Sequence, residues 1–204
     1  MNDGNEKAVS GYDVTITEGS TYTTDDFTFS GTAEAKGTEA GTYSMGLNAD
    51  QFTNTNDNYT QVTFIVNDGT LTINPKSITP DGPDTPDEKK TGITVSEPSD
   101  SKYDGNEHKN KPTVKDGEKV LVENTDYTLS YSEDVINAGT VTVTITGKGN
   151  YSQETTVDYQ ITPRTVKLTS GSDSKTYDGT PLVKHDVTVS EDGFVKGEGA
   201  SYDV

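Results

Sequence analysis

The feature that most constrains the fold is a set of short signals that recurs in a fixed order along the chain. The matching pairs are Asp3-Gly4-Asn5-Glu6 with Asp104-Gly105-Asn106-Glu107, Tyr103-Asp104-Gly105 with Tyr177-Asp178-Gly179, and Ala40-Gly41-Thr42 with Ala138-Gly139-Thr140. Signals kept in order at a spacing of several tens of residues indicate tandem modules. We therefore expect a row of similar small units instead of one large core.

The local pattern within each unit predicts β-strands. Val141, Val143 and Ile145 alternate with threonines, which gives one buried and one solvated face, and β-branched Thr suits a pleated surface. Asp68-Gly69 supplies the chemistry of a tight turn between two such runs. In the first unit the runs predicted as strands are Val14 and Ile16; Phe27 and Phe29; Val62, Phe64 and Val66; and Leu71 and Ile73.

The predicted fold class is all-β, in the form of tandem small β-sandwich modules of immunoglobulin-like type joined by a Pro-rich linker. No window of the sequence shows a sustained helical period. A β-grasp-like module is the alternative fold. Two packed sheets suit about seven short strands better, because a β-grasp needs a helix that the pattern does not offer in the second unit.

Composition at first favours disorder, since only 28% of residues are hydrophobic and the net charge is -18. The alternation of the apolar residues argues against that interpretation, and small separate cores fit the low apolar content. The chain contains no cysteine, so it has neither a disulfide framework nor a thiolate metal site. Absence of disulfides in small β-modules is typical of surface proteins of Gram-positive bacteria.

Four segments follow from these signals. We predict a first β-module at 1–75 that lacks its leading strand, a linker at 76–91, a second module at 92–163, and the opening half of a third module at 164–204. Closely spaced prolines among Asp and Thr favour an extended, semi-rigid linker. The second joint should be the stiffer one, because Pro163 is followed almost at once by the next strand.

The second unit resembles the MBG/YDG-type repeats of large bacterial surface proteins. The motifs that carry the resemblance are Lys102-Tyr103-Asp104-Gly105, Asp126-Tyr127, Ala138-Gly139-Thr140, Gly147-Lys148-Gly149-Asn150-Tyr151 and Ile161-Thr162-Pro163. Lys175 to Leu182 and Gly193 to Gly199 resemble the opening half of the same family's longer repeat. In the first unit Asn2 replaces the tyrosine of the motif. The resemblance implies a secreted or wall-attached adhesin-like protein, and it carries over no functional residue.

Two tyrosines are the candidate ligand-binding residues. Tyr103 and Tyr177 precede Asp-Gly turns, where an exposed ring could serve as a platform for a sugar. The structural interpretation, a buried ring whose hydroxyl binds nearby protein groups, is favoured because core residues recur at equivalent places in repeats. We expect no catalytic site, since His108 and His185 stand outside any recognisable triad or zinc pattern.

A cofactor is not expected, with Ca²⁺ in the predicted linker as the one alternative considered. Carboxylates are its preferred ligands, and the linker contains Asp81, Asp84, Asp87 and Glu88. Their spacing matches no known calcium loop, so a hydrated acidic linker is the favoured interpretation.

The expected function is that of a non-catalytic repeat segment in a bacterial cell-surface adhesin, located extracellularly or at the cell wall. It would act as a stalk and as a weak multivalent array for host glycans or proteins. The alternative is a carbohydrate-binding accessory module of a wall-bound or secreted glycosidase. With 34 acidic against 16 basic residues, nucleic acid is not an expected partner, nor is membrane insertion. We expect a monomer, with head-to-tail strand addition between copies as the alternative.

Overall fold

The computed structural model describes residues 2–201, apart from the side chain of Glu88. Met1 and residues 202–204, which belong to the predicted first and third units, lie outside the described residues. The strands are β1 (Lys7–Ser10), β2 (Phe27–Phe29), β3 (Glu34–Gly37), β4 (Gly41–Ser44), β5 (Phe52–Asn54), β6 (Thr70–Ile73), β7 (Lys76–Ser77), β8 (Ile93–Val95), β9 (Ser101–Lys102), β10 (Val114–Asp116), β11 (Lys119–Val120), β12 (Tyr127–Tyr131), β13 (Gly139–Gly147), β14 (Tyr151–Ser152), β15 (Glu154–Thr162), β16 (Val166–Ser170) and β17 (Val187–Glu191).

The predicted all-β fold class is confirmed. The described helical elements are single 3-10 turns at Thr24–Asp26, Ala49–Gln51 and Asp87–Lys89. Within the described range, no helix has the length and apolar character needed to cross a bilayer.

The second unit consists of two sheets. One has the strand order β12-β13-β15-β9, in which β13 and β15 form a long antiparallel ladder and β9 joins β15 in parallel. The other has the order β11-β10-β8 and is antiparallel throughout. The alternation predicted from sequence places Val141, Val143 and Ile145 on the inner face of the larger sheet, where each is at most 1% exposed.

A shared core joins the two sheets. Ile93 and Val114 of the smaller sheet cluster with Tyr127 and Ile145 of the larger one. Fully burying side chains of this size contributes about 1.5–3 kcal/mol each, so this cluster is a main source of stability for the module. The arrangement is the two-layered one expected of a sandwich, and the described residues of this unit contain no helix of the kind that a β-grasp needs.

The first unit is built from three antiparallel strand pairs, β1 with β3, β2 with β5, and β4 with β6. Its interior is aromatic. Phe29 lies 5.0 Å from Phe52 and Phe27 lies 5.6 Å from Phe64, measured between ring centroids. Aromatic pairs at such distances contribute about 0.5–1.5 kcal/mol beyond the area they bury.

Two strands predicted in the first unit do not form. The segments at 12–17 and 61–67 have no strand assignment and no ladder partner among the described residues. The alternation still sets the side-chain directions, because Val62, Phe64 and Val66 are half-buried while the intervening residues are exposed. Alternation fixes which way side chains point, whereas a strand also needs a neighbour for its backbone groups.

The repeated Asp-Gly signals form the same turn in all three units. Gly4, Gly105 and Gly179 have φ angles of 77°, 81° and 78°. The preceding aspartate accepts a backbone N–H bond two residues on: Asn5 N to Asp3 Oδ1 at 3.0 Å, Asn106 N to Asp104 Oδ1 at 2.9 Å and Thr180 N to Asp178 Oδ1 at 2.9 Å. The sequence repeat therefore corresponds to a structural one.

The structure differs from the predicted linker at 76–91. Its first residues form β7, which pairs in parallel with β14 of the second unit. Ile78 is fully buried in the core of that unit. The prolines therefore do not separate two units; they lie in an excursion from the edge of the second unit, which the chain rejoins at β8.

As far as the third unit is described, it contains one strand pair, β16 with β17, in antiparallel register. Residues 171–186 between them carry no strand. The apolar side chains of this pair remain partly open, with Leu168 42% and Val189 44% exposed.

Candidate functional site

The junction between the first and second units is made by backbone pairing. After β6 the chain passes directly into β7, where Lys76 N donates to Asn150 O at 2.8 Å and Ile78 N donates to Ser152 O at 2.9 Å. Since β6 belongs to the first unit and β14 to the second, these bonds fix the direction in which the chain leaves one unit and enters the next.

Asn150 links the two units through its side chain. Its Oδ1 accepts hydrogen bonds from Ala40 N at 2.6 Å and from Asn2 Nδ2 at 3.2 Å, and its Nδ2 donates to Glu39. One amide side chain thus binds three residues of the neighbouring unit. Asn150 belongs to the Gly147-Lys148-Gly149-Asn150-Tyr151 motif, so a side chain of that motif forms this contact.

An ion pair supports the same junction. Lys76 Nζ lies 2.6 Å from Asp116 Oδ1, with the two side chains only 16% and 22% exposed. The Tyr151 hydroxyl donates to Asp116 Oδ2 at 3.1 Å. Burial is the main cause that raises the pKa of Tyr151, and the neighbouring Asp116 adds to it, so this hydroxyl remains a donor.

The junction between the second and third units uses the equivalent positions. Arg164, the residue after Pro163, donates through Nε to Gly193 O at 2.9 Å and through Nη2 to Asp192 O. Lys102 Nζ donates to Asp192 Oδ1 at 2.8 Å, and Thr165 N donates to Asp192 Oδ2 at 2.9 Å. The Lys102 hydrogen bond is the main cause that holds the pKa of Asp192 below its ordinary value.

Tyr103 lies in this second junction. Its hydroxyl donates to Glu198 of the third unit, and this bond is the main cause that raises the pKa of Tyr103. The ring packs against a buried cluster that includes Val141 and Tyr159. It also borders a cavity of about 320 Å³ between the units, which is lined by Pro163, Arg164 and Phe194 as well. The hydroxyl is thus engaged by the protein itself.

The first unit carries Asn2 at the position equivalent to Tyr103. Asn2 N donates to Asn74 O at 2.7 Å, as Tyr103 N donates to Thr162 O at 2.9 Å. Asn2 is buried, and its Nδ2 also donates to Thr38 O at 2.7 Å. At this position of the backbone, the first unit therefore has a hydrogen-bonded amide where the second unit has a packed tyrosine ring.

Tyr177, the other candidate, is not brought together with Tyr103. It is 92% exposed and lies in the segment of the third unit that carries no strand. It lines neither the cavity beside Tyr103 nor the cleft of the first unit.

The acidic stretch considered for Ca²⁺ is organised by hydrogen bonds within the loop. Asp81 accepts from Thr91 N and Gly92 N, both at 2.8 Å, and these bonds lower the pKa of Asp81. Asp87 pairs with Lys90 at 2.6 Å. Across the part of the chain that is described, no three acidic, His or Cys residues are grouped so that they could hold a metal ion. The side chain of Glu88 lies outside the described residues.

A cleft in the first unit was not foreseen from the sequence. The unpaired segments 12–17 and 61–67 form its two sides and Phe27, Phe52 and Leu47 contribute to its apolar wall, around a volume of about 490 Å³. Tyr12 and Val14 on one side are 40% and 41% exposed. The signal that could have revealed it is the presence of two alternating runs with no third run to pair with them.

Comparison with known proteins finds a similarity for one of the three units. The family model described as the MBG domain matches residues 2–75. No curated protein and no solved structure matches the chain. The match covers the unit whose opening motif is altered at Asn2, and its end coincides with the Pro75 that closes the unit. Residues 2–75 of this chain are therefore similar to the MBG domain.

Proposed function

We propose that this chain is a non-catalytic repeat segment of a bacterial cell-surface adhesin and works there as a stalk. The observation that carries the proposal is the direct entry of β7 into the second unit after the last strand of the first, with no free linker between them. An extracellular, wall-attached setting is part of the proposal. The MBG match supports it, since that domain is a repeat module of surface proteins.

Paired junctions determine the length over which an array of units extends. A flexible linker extends only with the square root of its length, whereas units fixed to one another extend in proportion to their number. A net charge of -18 opposes collapse of such an array through self-repulsion. Repetition would also raise the avidity of weak contacts to host glycans or proteins, because each further contact becomes intramolecular.

Small-angle X-ray scattering on the Asn150→Ala variant tests the stalk. This change removes the side-chain bonds to Ala40, Asn2 and Glu39 and leaves the paired backbone in place. Loss of hydrogen bonds of this kind costs about 1 kcal/mol, which is roughly a fivefold shift toward an open junction. The distribution of interatomic distances should broaden relative to the wild-type chain.

Asn106→Ala is the matched control, since Asn106 is an exposed asparagine of the same unit. Its scattering curve should coincide with that of the wild-type chain. A wild-type curve that already requires an ensemble of freely rotating units would contradict the stalk.

The alternative function, a carbohydrate-binding accessory module, depends on an aromatic platform. The engagement of the Tyr103 hydroxyl by Glu198 favours a role in the junction over a role as a platform. A glycan array probed with the whole chain distinguishes the two functions. Specific binding that is lost in Tyr177→Ala would support the accessory role.

A further inference from the structure

The cleft of the first unit lies where the other two units carry a strand pair. In the third unit β16 pairs with β17, with Leu168 opposite Val189. In the second unit β8 pairs with β10 in the same antiparallel sense. Residues 186–191, which contain β17, match residues 13–18 in sequence: Asp-Val-Thr-Val-Ser-Glu against Asp-Val-Thr-Ile-Thr-Glu. The segment at 12–17 is therefore equivalent to a strand that is paired in the other units.

That segment leaves backbone groups and apolar side chains open along one side of the cleft. It lies extended beside 61–67 without a ladder partner among the described residues. Val14 is 41% exposed, and Val62 and Phe64 on the opposite side are half-buried. Unpaired strand edges of this kind add a further strand readily, since backbone bonds supply affinity and alternate side chains supply specificity.

β16 has the complementary properties. Within the described residues it pairs with β17 alone, so its other edge is open. Leu168 is 42% exposed on this strand. β16 carries Lys167 and is preceded by Arg164, whereas the cleft segment carries Asp13 and is followed by Glu18. Opposite charges on two edges favour their pairing and fix its register.

We propose that the cleft between residues 12–17 and 61–67 accepts a β-strand from a second copy of this chain, and that this strand is Val166–Ser170. The open edge of β16 adds to residues 12–17 while its bonds to β17 stay in place. The contact joins the third unit of one copy to the first unit of the next. Such a head-to-tail contact uses different surfaces on each copy, so it can repeat from copy to copy and builds linear assemblies when the rotation between copies does not close a ring.

Sedimentation velocity of the whole chain at increasing concentration tests this contact. Species larger than the monomer should grow with concentration. Val14→Asp in the acceptor and Leu168→Asp in the donor should each weaken the association by at least tenfold. The matched controls are Val9→Asp and Val183→Asp, which replace apolar residues that are 39% and 55% exposed outside the cleft and outside β16. Neither control should change the association.

Mixing the two variants gives the sharpest result. The Val14→Asp chain keeps an intact donor strand and the Leu168→Asp chain keeps an intact acceptor cleft. Each alone should remain monomeric, and the mixture should form a one-to-one dimer that grows no further. Formation of this dimer also shows that the donor strand of the Val14→Asp chain and the acceptor cleft of the Leu168→Asp chain are folded.

A labelled peptide with the sequence of residues 164–171 provides an independent measurement. It should bind the wild-type chain and the Val9→Asp control with equal affinity, and bind Val14→Asp at least tenfold more weakly, by fluorescence anisotropy. A wild-type chain that stays monomeric at millimolar concentration would overturn the proposal. So would a mixture of the two variants that forms no dimer, or controls that weaken association as strongly as the cleft variants.

Discussion

At the scale of single residues, the signal that recurs in each unit is an Asp-Gly turn, and few residue types can adopt its backbone conformation. Gly4, Gly105 and Gly179 share a left-handed backbone, and the aspartate before each one caps the turn through its carboxylate. Asp3 illustrates the strength of this local chemistry. The Lys7 side chain, followed by the N–H of Asn5, lowers its pKa to about 2. Conserving this turn in every unit conserves the direction in which the following strand leaves it.

Gly4 offers a test of the turn that is free of steric clash. Its φ is 77° and a Cβ added there would meet no atom within 4 Å. Gly4→Ala should lower the free energy of unfolding by about 1–2 kcal/mol, because an L-residue with a Cβ is strained in this conformation. Gly4→Asn should cost less, since asparagine tolerates the left-handed region. Urea unfolding followed by circular dichroism measures both, and equal losses for the two variants would contradict a backbone origin.

At the scale of elements, the sequence predicts strand character better than strand pairing. The run from Val141 to Ile145 alternates strictly and forms the central ladder of the second unit, where the larger sheet buries it. Val62 to Val66 alternates equally well and forms no ladder among the described residues. The difference depends on a neighbouring edge, which is a property of the tertiary structure. For the same reason the junction contacts of Asn150 could not be read from its motif.

The predicted linker shows a second limit of local sequence patterns. The prolines and acidic residues correctly indicate that most of this stretch forms no β-ladder. They do not indicate which unit its two ends belong to. The position of Ile78 would have indicated this, because Ile78 stands at the same spacing after Pro75 as Val166 does after Pro163. Aligning the residues after each closing proline would have assigned β7 and Ile78 to the second unit.

Ile78 should therefore contribute to stability although it lies in a proline-rich stretch. It is 0% exposed. Ile78→Ala should lower the free energy of unfolding by about 2–5 kcal/mol, through lost burial and the cavity left behind. Ile65→Ala is the matched control, because Ile65 is 87% exposed and should change stability by no more than about 0.5 kcal/mol. Similar effects of the two changes would mean that Ile78 is not packed in the core.

At the scale of the whole molecule, polar junctions connect the three units. The second junction depends on Asp192, which accepts from Lys102 and Thr165 while Arg164 binds the backbone carbonyl beside it. A carboxylate whose pKa is lowered in the folded state stabilises that state above the ordinary carboxyl pKa. Its contribution is lost as the pH falls through the lowered value.

Acidification should accordingly loosen the second junction below about pH 4, the ordinary range of an aspartate. Because the chain has no native cysteine, one cysteine introduced in each of the second and third units can carry a pair of dyes. Energy transfer in the wild-type chain should fall on acidification. In Asp192→Asn it should be lower at pH 7 and change less. Asp173→Asn, an exposed acid of the third unit, should follow the wild-type chain.

The excursion at the edge of the second unit has one further consequence, for resistance to proteolysis. Lys89 and Lys90 are exposed within this excursion. The strands on either side of it, β7 and β8, are both paired within the second unit. Trypsin cleavage there would cut the covalent chain without separating the two pieces. The two pieces should travel together through a sizing column and separate only under denaturing electrophoresis.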